Sequence, residues 1–434
     1  MIYKMNGRAC SCGKRHVMPV DKILIGKGVL SQLPEVLDGY GAKRAFVFFD
    51  KNTYAAAGKR VCELLRSGDI FVSEYCFSED ALEPEEKSVG SLIMHYDHSS
   101  DVIVGVGSGV INDLGKILAK TTGKPYVIVG SAPSMDGYAS DSSSMVRDGI
   151  KVSLPSACPN VIIGDTEILK DAPLHMIKSG LGDIIAKYVS ICEWRIAHII
   201  LDEYYCEDVA ELMRSALKKC AENASGLLKR DEDAIAAVFE GLVISGVAMS
   251  YAGVTRPASG VEHYFSHLWD MRGLEFGTHV DLHGIQCAVG TSITVSLYEK
   301  LKKIKPSREK ALRYVAEFDY AAWCETLREL LGGAVDNMIE IEKREGKYDL
   351  RAHELRLERI IEKWKDILRA IDEELPTSEA LAELFRSFDC PTTPSEIGQD
   401  EKLVPVIFRA TKDLRDKYIL SRLAFDLGVI DELI

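Results

Sequence analysis

The sequence predicts an N-terminal α/β domain built on a parallel sheet, followed by an all-helical C-terminal domain. Three observations carry this expectation. Short apolar runs rich in β-branched residues recur through the first 170 residues with helical stretches between them, the pattern of a parallel sheet covered on both faces. From about Leu174 onward, long segments of helical periodicity follow with few strand-like runs. A chain of 434 residues also exceeds what one hydrophobic core serves comfortably, so two domains are expected, at 1–170 and 171–434.

Taken in order, Ile23-Leu-Ile-Gly26 reads as a short strand entering a glycine turn and a helix start. Ala45 to Phe49 is a strongly apolar strand ending at Asp50. Val102 to Val106 is the next strand, followed by a glycine-rich loop and the helical run Asp113 to Lys120. Pro125 to Gly130 and Asn160 to Gly164 are two further strands. Helical periodicity then covers Glu207 to Lys229, Asp231 to Met249, Arg308 to Leu331 and Met338 to Glu373. The charged run Glu340 to Asp349 reads as a solvated helix face or its end.

Charged residues make up 27% of the chain and are interspersed with apolar segments, which excludes a disordered polymer. The balance of 53 basic against 66 acidic residues, a net charge of −13, opposes non-specific attraction to nucleic acid or anionic lipid. No uninterrupted apolar run approaches a membrane span, and Met1 to Arg8 lacks an apolar core with a small-residue cleavage site. A soluble cytoplasmic protein without stable membrane insertion is expected, and monomer and homodimer fit equally well. The eleven cysteines are odd in number, and Cys192, Cys206, Cys220 and Cys324 fall in helical segments, as buried thiols in a reducing compartment would. Cys10-Ser-Cys12-Gly-Lys-Arg-His16 places three soft ligands within seven residues, where a closed zinc site takes four. A local metal site and a simple glycine-containing turn both remain open.

Four groups of residues carry chemistry. Gly107-Ser108-Gly109, between a strand and the helix bearing Asp113 and Lys116, can present backbone amides and a helix N-terminus to a pyrophosphate; a tight turn without a ligand gives the same pattern. Asp50, at a strand end, can accept hydrogen bonds from an adenine ribose and disfavour a 2′-phosphate. It precedes the glycine loop by more than 50 residues, however, which departs from the usual dinucleotide fingerprint. Ser131-Ala132-Pro-Ser134-Met-Asp136-Gly-Tyr-Ala-Ser140 follows a strand, the position where α/β sheets bind ligands, although any loop is rich in such residues.

The fourth group is Glu262-His263-Tyr-Phe-Ser-His267 with His279 and His283. Spacing puts His263 and His267 on one helix face, and two imidazoles with one carboxylate are a natural ligand set for a borderline divalent ion. Asp183, read as lying near the start of an apolar helix, can supply the carboxylate; an acid satisfied by helix amides is the plainer alternative. His-Glu-x-x-His is absent, so this is not the zinc-protease arrangement.

Together these segments resemble the sn-glycerol-1-phosphate dehydrogenases, particularly their bacterial members, within the group of iron-type alcohol dehydrogenases, glycerol dehydrogenase and 3-dehydroquinate synthase. The resemblance runs from Ile25-Gly-Lys-Gly-Val-Leu to Thr411-Lys-Asp-Leu-Arg415-Asp-Lys-Tyr418-Ile-Leu-Ser-Arg-Leu-Ala-Phe-Asp-Leu-Gly428, and its discriminating parts are Ser134-Met-Asp136-Gly-Tyr-Ala-Ser140, Arg256-Pro-Ala-Ser-Gly-Val-Glu-His263-Tyr-Phe-Ser-His267 and Leu282-His283-Gly-Ile-Gln286. Ser108 stands where the family commonly has glycine, and Ile285 where an acid is frequent.

The resemblance implies a Rossmann-like parallel sheet with an all-helical, dehydroquinate synthase-like second domain. It implies that Asp183, His263 and His283 hold one divalent metal, zinc or nickel. Gly107, Ser108, Gly109, the Ser131 to Ser134 loop including Ala132, and Ser140 would contact NAD(H), with NADP(H) as the second option; Asp113 belongs to the same cofactor motif. Asp136 and His267 would contact substrate, and His279 has no assigned role. The implied reaction is reversible reduction of dihydroxyacetone phosphate to sn-glycerol 1-phosphate, with Arg256, Lys412 and Arg415 as candidates for the phosphate. A polyol dehydrogenase without phosphate specificity, a 3-dehydroquinate synthase-like lyase and a non-catalytic protein of the same fold are the rival expectations.

Overall fold

The computed structural model describes residues 5–79, 81–147 and 150–434; the expectation drawn from Met1 to Lys4 lies outside them. The chain forms an N-terminal α/β region on a parallel sheet and an extensive all-helical C-terminal region. Two compact units result, one of residues 1–184 with 211–254 and the other of 185–210 with 255–434.

The first unit is built on six parallel strands in the order β1-β8-β5-β4-β2-β3, with β1 Lys22–Gly26, β2 Arg44–Asp50, β3 Phe71–Phe77, β4 Val102–Gly107, β5 Tyr126–Gly130 and β8 Val161–Asp165. Alternate strand residues serve opposite faces. Ala45, Val47 and Phe49 join Val102, Val104, Val106, Val127, Val129 and Ile163 in one buried cluster with Leu30, Leu33, Leu37, Val61 and Leu65. Phe46, Phe48, Ile103, Tyr126, Ile128 and Ile162 are buried as well, so both faces are covered and the strands read as continuous apolar runs. Strand β3 escaped the sequence reading because it is an edge strand whose Phe71, Glu74 and Cys76 are exposed. A separate antiparallel hairpin, β6 (Ser142–Arg147) and β7 (Ile150–Pro155), is serine-rich and was equally silent.

Strand order explains where ligands can gather. Following the chain, β3 is added to one side of β2, whereas β4, β5 and β8 are added successively towards the other side, so the strand order reverses between β2 and β4 although all the strands are parallel. The carboxyl ends of those two neighbours carry Asp50 and Gly107. A crevice at such a switch point is where open α/β sheets bind ligands.

Two of this unit's helices approach the sheet and its loops closely. Helix Leu174–Ile185 approaches the loop after β5 closely: a Cβ on Gly180 would lie 1.8 Å from the Pro133 carbonyl oxygen, so only glycine fits. Helix Glu232–Ala252 lays Phe239 over Gly130 of β5 and Gly164 of β8, where any side chain would collide with its ring. Its apolar length would suffice to cross a membrane, yet 78% of its apolar window is buried, as in a core helix.

In the second unit, helices Val261–Phe276 and His283–Leu301 pack against one another so closely that a Cβ on Gly290 would meet the Glu262 carbonyl oxygen at 2.5 Å. The run Arg308 to Leu331 divides into Arg308–Ala316 and Tyr320–Leu331, because the Asp319 side chain caps the second helix at the Ala322 amide. Likewise Met338 to Glu373 divides into Val335–Glu345, Leu350–Glu362 and Trp364–Glu374, with Asp349 capping the middle helix.

Candidate functional site

In the sheet unit the glycine loop turns directly from β4 into helix Gly109–Thr122. A Cβ on Gly107 would lie 2.4 Å from Ile111, so this turn needs bare backbone, and Gly107 oxygen accepts from the Ser131 amide at 2.9 Å. The two loops proposed to face a dinucleotide are thus hydrogen-bonded neighbours. Asp50 caps the short helix after β2, its carboxylate accepting from the Thr53 amide at 2.8 Å.

Asp113 and Lys116 have a role that the pattern did not reveal. Lys116 is fully buried, donates to the Gly137 oxygen (3.2 Å), Ser140 Oγ (3.1 Å) and the Ser142 oxygen (2.5 Å), and pairs with Asp113 at 2.8 Å. Burial pushes the Asp113 carboxyl up from its ordinary value, with Lys116 opposing the shift. One cation therefore gathers the segment from Gly137 to Ser142. Ser140 sits within that cluster, its hydroxyl 3.1 Å from the Gly137 oxygen. Ala132 oxygen accepts from the Tyr138 hydroxyl at 2.6 Å, and Ser134 oxygen from Ser179 Oγ at 2.9 Å.

Asp183 is fully buried and accepts from the Asp136 amide at 3.0 Å, while Asp136 Oδ2 accepts from Ser245 at 2.8 Å. Two acids far apart in sequence are thus adjacent. Asp183 lies in the last turn of helix Leu174–Ile185 and not near a helix start, a correction to the sequence expectation. The apolar run around it gave no sign of polarity, and the preceding turn Lys178-Ser179-Gly180 belongs to the same helix.

In the helical unit His263, His283 and Cys287 each offer a donor atom within 4.8 Å of the others. The ring centroids of His263 and His283 are 5.1 Å apart, and those of His267 and His283 are 6.0 Å apart. Glu262 accepts from His263 Nδ1 at 2.7 Å and from the Gly260 amide at 2.8 Å. A carboxylate on Nδ1 leaves the His263 Nε2 lone pair for a metal, the usual outer-shell device at such sites. His283 Nδ1 contacts Ser266 Oγ at 3.0 Å, and Gln286 ties Ser266 to Asp270. Cys287 was missed by the sequence reading, although it stands four residues after His283 and so on the same helix face. Burial alone would push its thiol up, but the His263 and His283 imidazoles outweigh that and hold it below its ordinary value. Two oriented imidazoles and a thiol suit a borderline divalent ion such as zinc or nickel.

Of the residues expected to meet a phosphate, Arg256 is buried and engaged by both Glu203 oxygens at 2.6 and 2.5 Å and by the Tyr418 oxygen at 2.9 Å. Lys412 is buried against Asp413 at 2.7 Å, and Arg415 is exposed. His279 oxygen accepts from Gln399 at 2.5 Å.

Residues 24–173 match the family model for iron-containing alcohol dehydrogenase. The chain is 32% identical over 391 residues to the NAD(P)+ glycerol-1-phosphate dehydrogenase of Halalkalibacterium halodurans, covering 85% of this chain and 96% of that protein. The chain belongs to the glycerol-1-phosphate dehydrogenase family. An archaeal relative, the enzyme of the same description from Methanosarcina mazei, is 34% identical over 277 residues, covering 64% of this chain and 76% of that one. The fold is that of glycerol dehydrogenase from Schizosaccharomyces pombe, with a TM-score of 0.61 at 17% identity over 95% of this chain and 89% of that chain. This member of the glycerol-1-phosphate dehydrogenase family is an enzyme of the oxidoreductase class, and it carries a candidate divalent-metal cluster.

Proposed function

We propose that this chain catalyses the reversible, NAD(P)H-dependent reduction of dihydroxyacetone phosphate to sn-glycerol 1-phosphate. The observation that carries the reading is the pair His263 and His283, one with its Nδ1 on a buried carboxylate, in a chain related over almost the whole length of a glycerol-1-phosphate dehydrogenase. Asp183, His263 and His283 are the proposed metal ligands. When bound, the divalent ion offsets negative charge developing on the C2 oxygen, and the nicotinamide donates or accepts the hydride.

The remaining work belongs to side chains and backbone of this protein. Amides of Gly107, Ser108 and Gly109 at a helix N-terminus hold the pyrophosphate, and the Ser131, Ala132 and Ser134 loop bounds the nicotinamide. Lys116, paired with Asp113, keeps the segment that follows, Gly137 to Ser142, in place. Asp136 and His267 orient the substrate hydroxyls, and the face they present sets the configuration at C2. Asp50 favours NAD(H), with NADP(H) also accepted. All eleven cysteines are thiols, which supports a cytoplasmic setting, and the product would feed an archaeal-type ether lipid or another glycerophosphate compound.

The deciding test is oxidation of NADH by metal-replete protein with dihydroxyacetone phosphate, beside unphosphorylated dihydroxyacetone, with chiral identification of the product. Strong dependence on the phosphate and sn-glycerol 1-phosphate as product are expected. Equal turnover of dihydroxyacetone would convert the assignment to a polyol dehydrogenase, and absence of net NADH oxidation would point to the lyase. Asp183→Asn should lose turnover together with bound metal. Near-normal activity with stoichiometric metal would remove Asp183 from the ligand set.

A further inference from the structure

We propose that Cys10, Cys12 and His16 form a second metal site that takes a zinc-class divalent ion and secures the N-terminal hairpin in the sheet unit. The three residues sit on a tight turn that brings Ala9 opposite Arg15, closed by the Cys10 amide on the Lys14 oxygen (2.9 Å) and the Gly13 amide on the Cys10 oxygen (3.0 Å). Gly13 has φ +85°, which allows the chain to double back between the second thiol and the histidine.

His16 is buried, and its Nδ1 lies 2.9 Å from the Tyr251 carbonyl oxygen. A carbonyl only accepts, so Nδ1 carries the proton and Nε2 keeps its lone pair. That nitrogen is 3.6 Å from Cys12 Sγ. Cys10 Sγ accepts from the Cys12 amide at 3.5 Å, which holds the two cysteines on the same turn. A histidine with its outer nitrogen on a backbone carbonyl and its inner nitrogen facing a thiol is the arrangement that metal-ligating imidazoles adopt.

Two thiolates and an imidazole select a soft or borderline ion over magnesium or calcium, and three protein ligands leave one position of a tetrahedral ion for a fourth donor. The location gives the ion a structural task. Tyr251 and Ala252 close helix Glu232–Ala252, where carbonyls lack intrahelical partners; His16 serves the first and Lys14 Nζ the second at 2.6 Å. Binding would lock the hairpin onto that helix end.

The test is the zinc content of full-length protein loaded with zinc alone, compared among wild type, Cys10→Ser/Cys12→Ser and His263→Ala/His283→Ala. We expect the cysteine variant to hold one zinc fewer than wild type, and the histidine variant to retain this ion while losing the other. Equal zinc in wild type and the cysteine variant overturns the proposal. A second measurement needs no variant: alkylation of Cys10 and Cys12 in folded wild-type protein, located by peptide mass, should be slow with zinc and at least tenfold faster after chelation. Equal rates with and without chelator overturn the proposal whatever the variant's stability.

Discussion

At the scale of single residues, the site is organised by buried charges whose partners decide their roles. Lys116 is an ammonium with no solvent, satisfied by Asp113 and three oxygens between Gly137 and Ser142. Removing one partner of a buried pair strands the other charge, which costs about 3–5 kcal/mol. Lys116→Met should therefore lower stability by about that amount in urea unfolding, and KM for the nicotinamide should rise as the loop loosens. Asp50 offers a more selective probe. It caps a helix, and glycine replaces a capping aspartate at a cost of only a few tenths of a kcal/mol. Asp50→Gly should leave the fold intact and raise the kcat/KM ratio of NADPH to NADH about tenfold, or ~1.4 kcal/mol. An unchanged ratio would show that Asp50 does not read the ribose.

At the scale of elements, one side chain joins three segments. Glu193, on helix Lys187–Leu201, accepts from the amides of Val261 (2.9 Å) and Leu420 (2.8 Å), each at the start of another helix. Burial, followed by the neighbouring Glu262 carboxylate, pushes its carboxyl up to about 8 from an ordinary 4.5. The folded chain thus holds a proton in this window that the unfolded chain has released. The stability it contributes is complete below the ordinary value and is lost as pH rises towards 8. Urea midpoints should fall between about pH 5 and about pH 8 in wild type, and Glu193→Gln should flatten that slope. Gly180 tests the contact between a helix and a loop. A methyl group there meets the Pro133 oxygen at 1.8 Å, so Gly180→Ala must displace either the helix or the loop bearing Ser131 and Ser134. A loss of about 1–3 kcal/mol is expected, the range for overpacking, together with a lower kcat.

At the scale of the whole molecule, two compact units should unfold in more than one calorimetric step. If the loops after β4 and β5 bind the dinucleotide, NADH at 100 times its Kd should stabilise the sheet unit by about 2.7 kcal/mol and raise that transition. A thermogram unmoved by NADH would count against those loops. Periodicity alone was enough to find five of the six sheet strands and the helical character of the later chain, because burial of a face leaves its imprint in the order of neighbouring residues, and the His263 and His283 segments stood out through the clustering and spacing of their histidines. Edge strand β3 left no such imprint, being exposed along half its length. Strand order and long-range partners were settled only in three dimensions. Asp50 precedes the glycine loop by more than 50 residues, yet both stand at carboxyl ends of the paired strands β2 and β4. Asp136 meets Asp183, Arg256 is engaged by Glu203, and Cys287 joins the histidines, none of which follows from composition. Local pattern reports which face of an element avoids water. Which distant side chain meets a buried charge depends on how the chain crosses over itself, and only the packed structure resolves that.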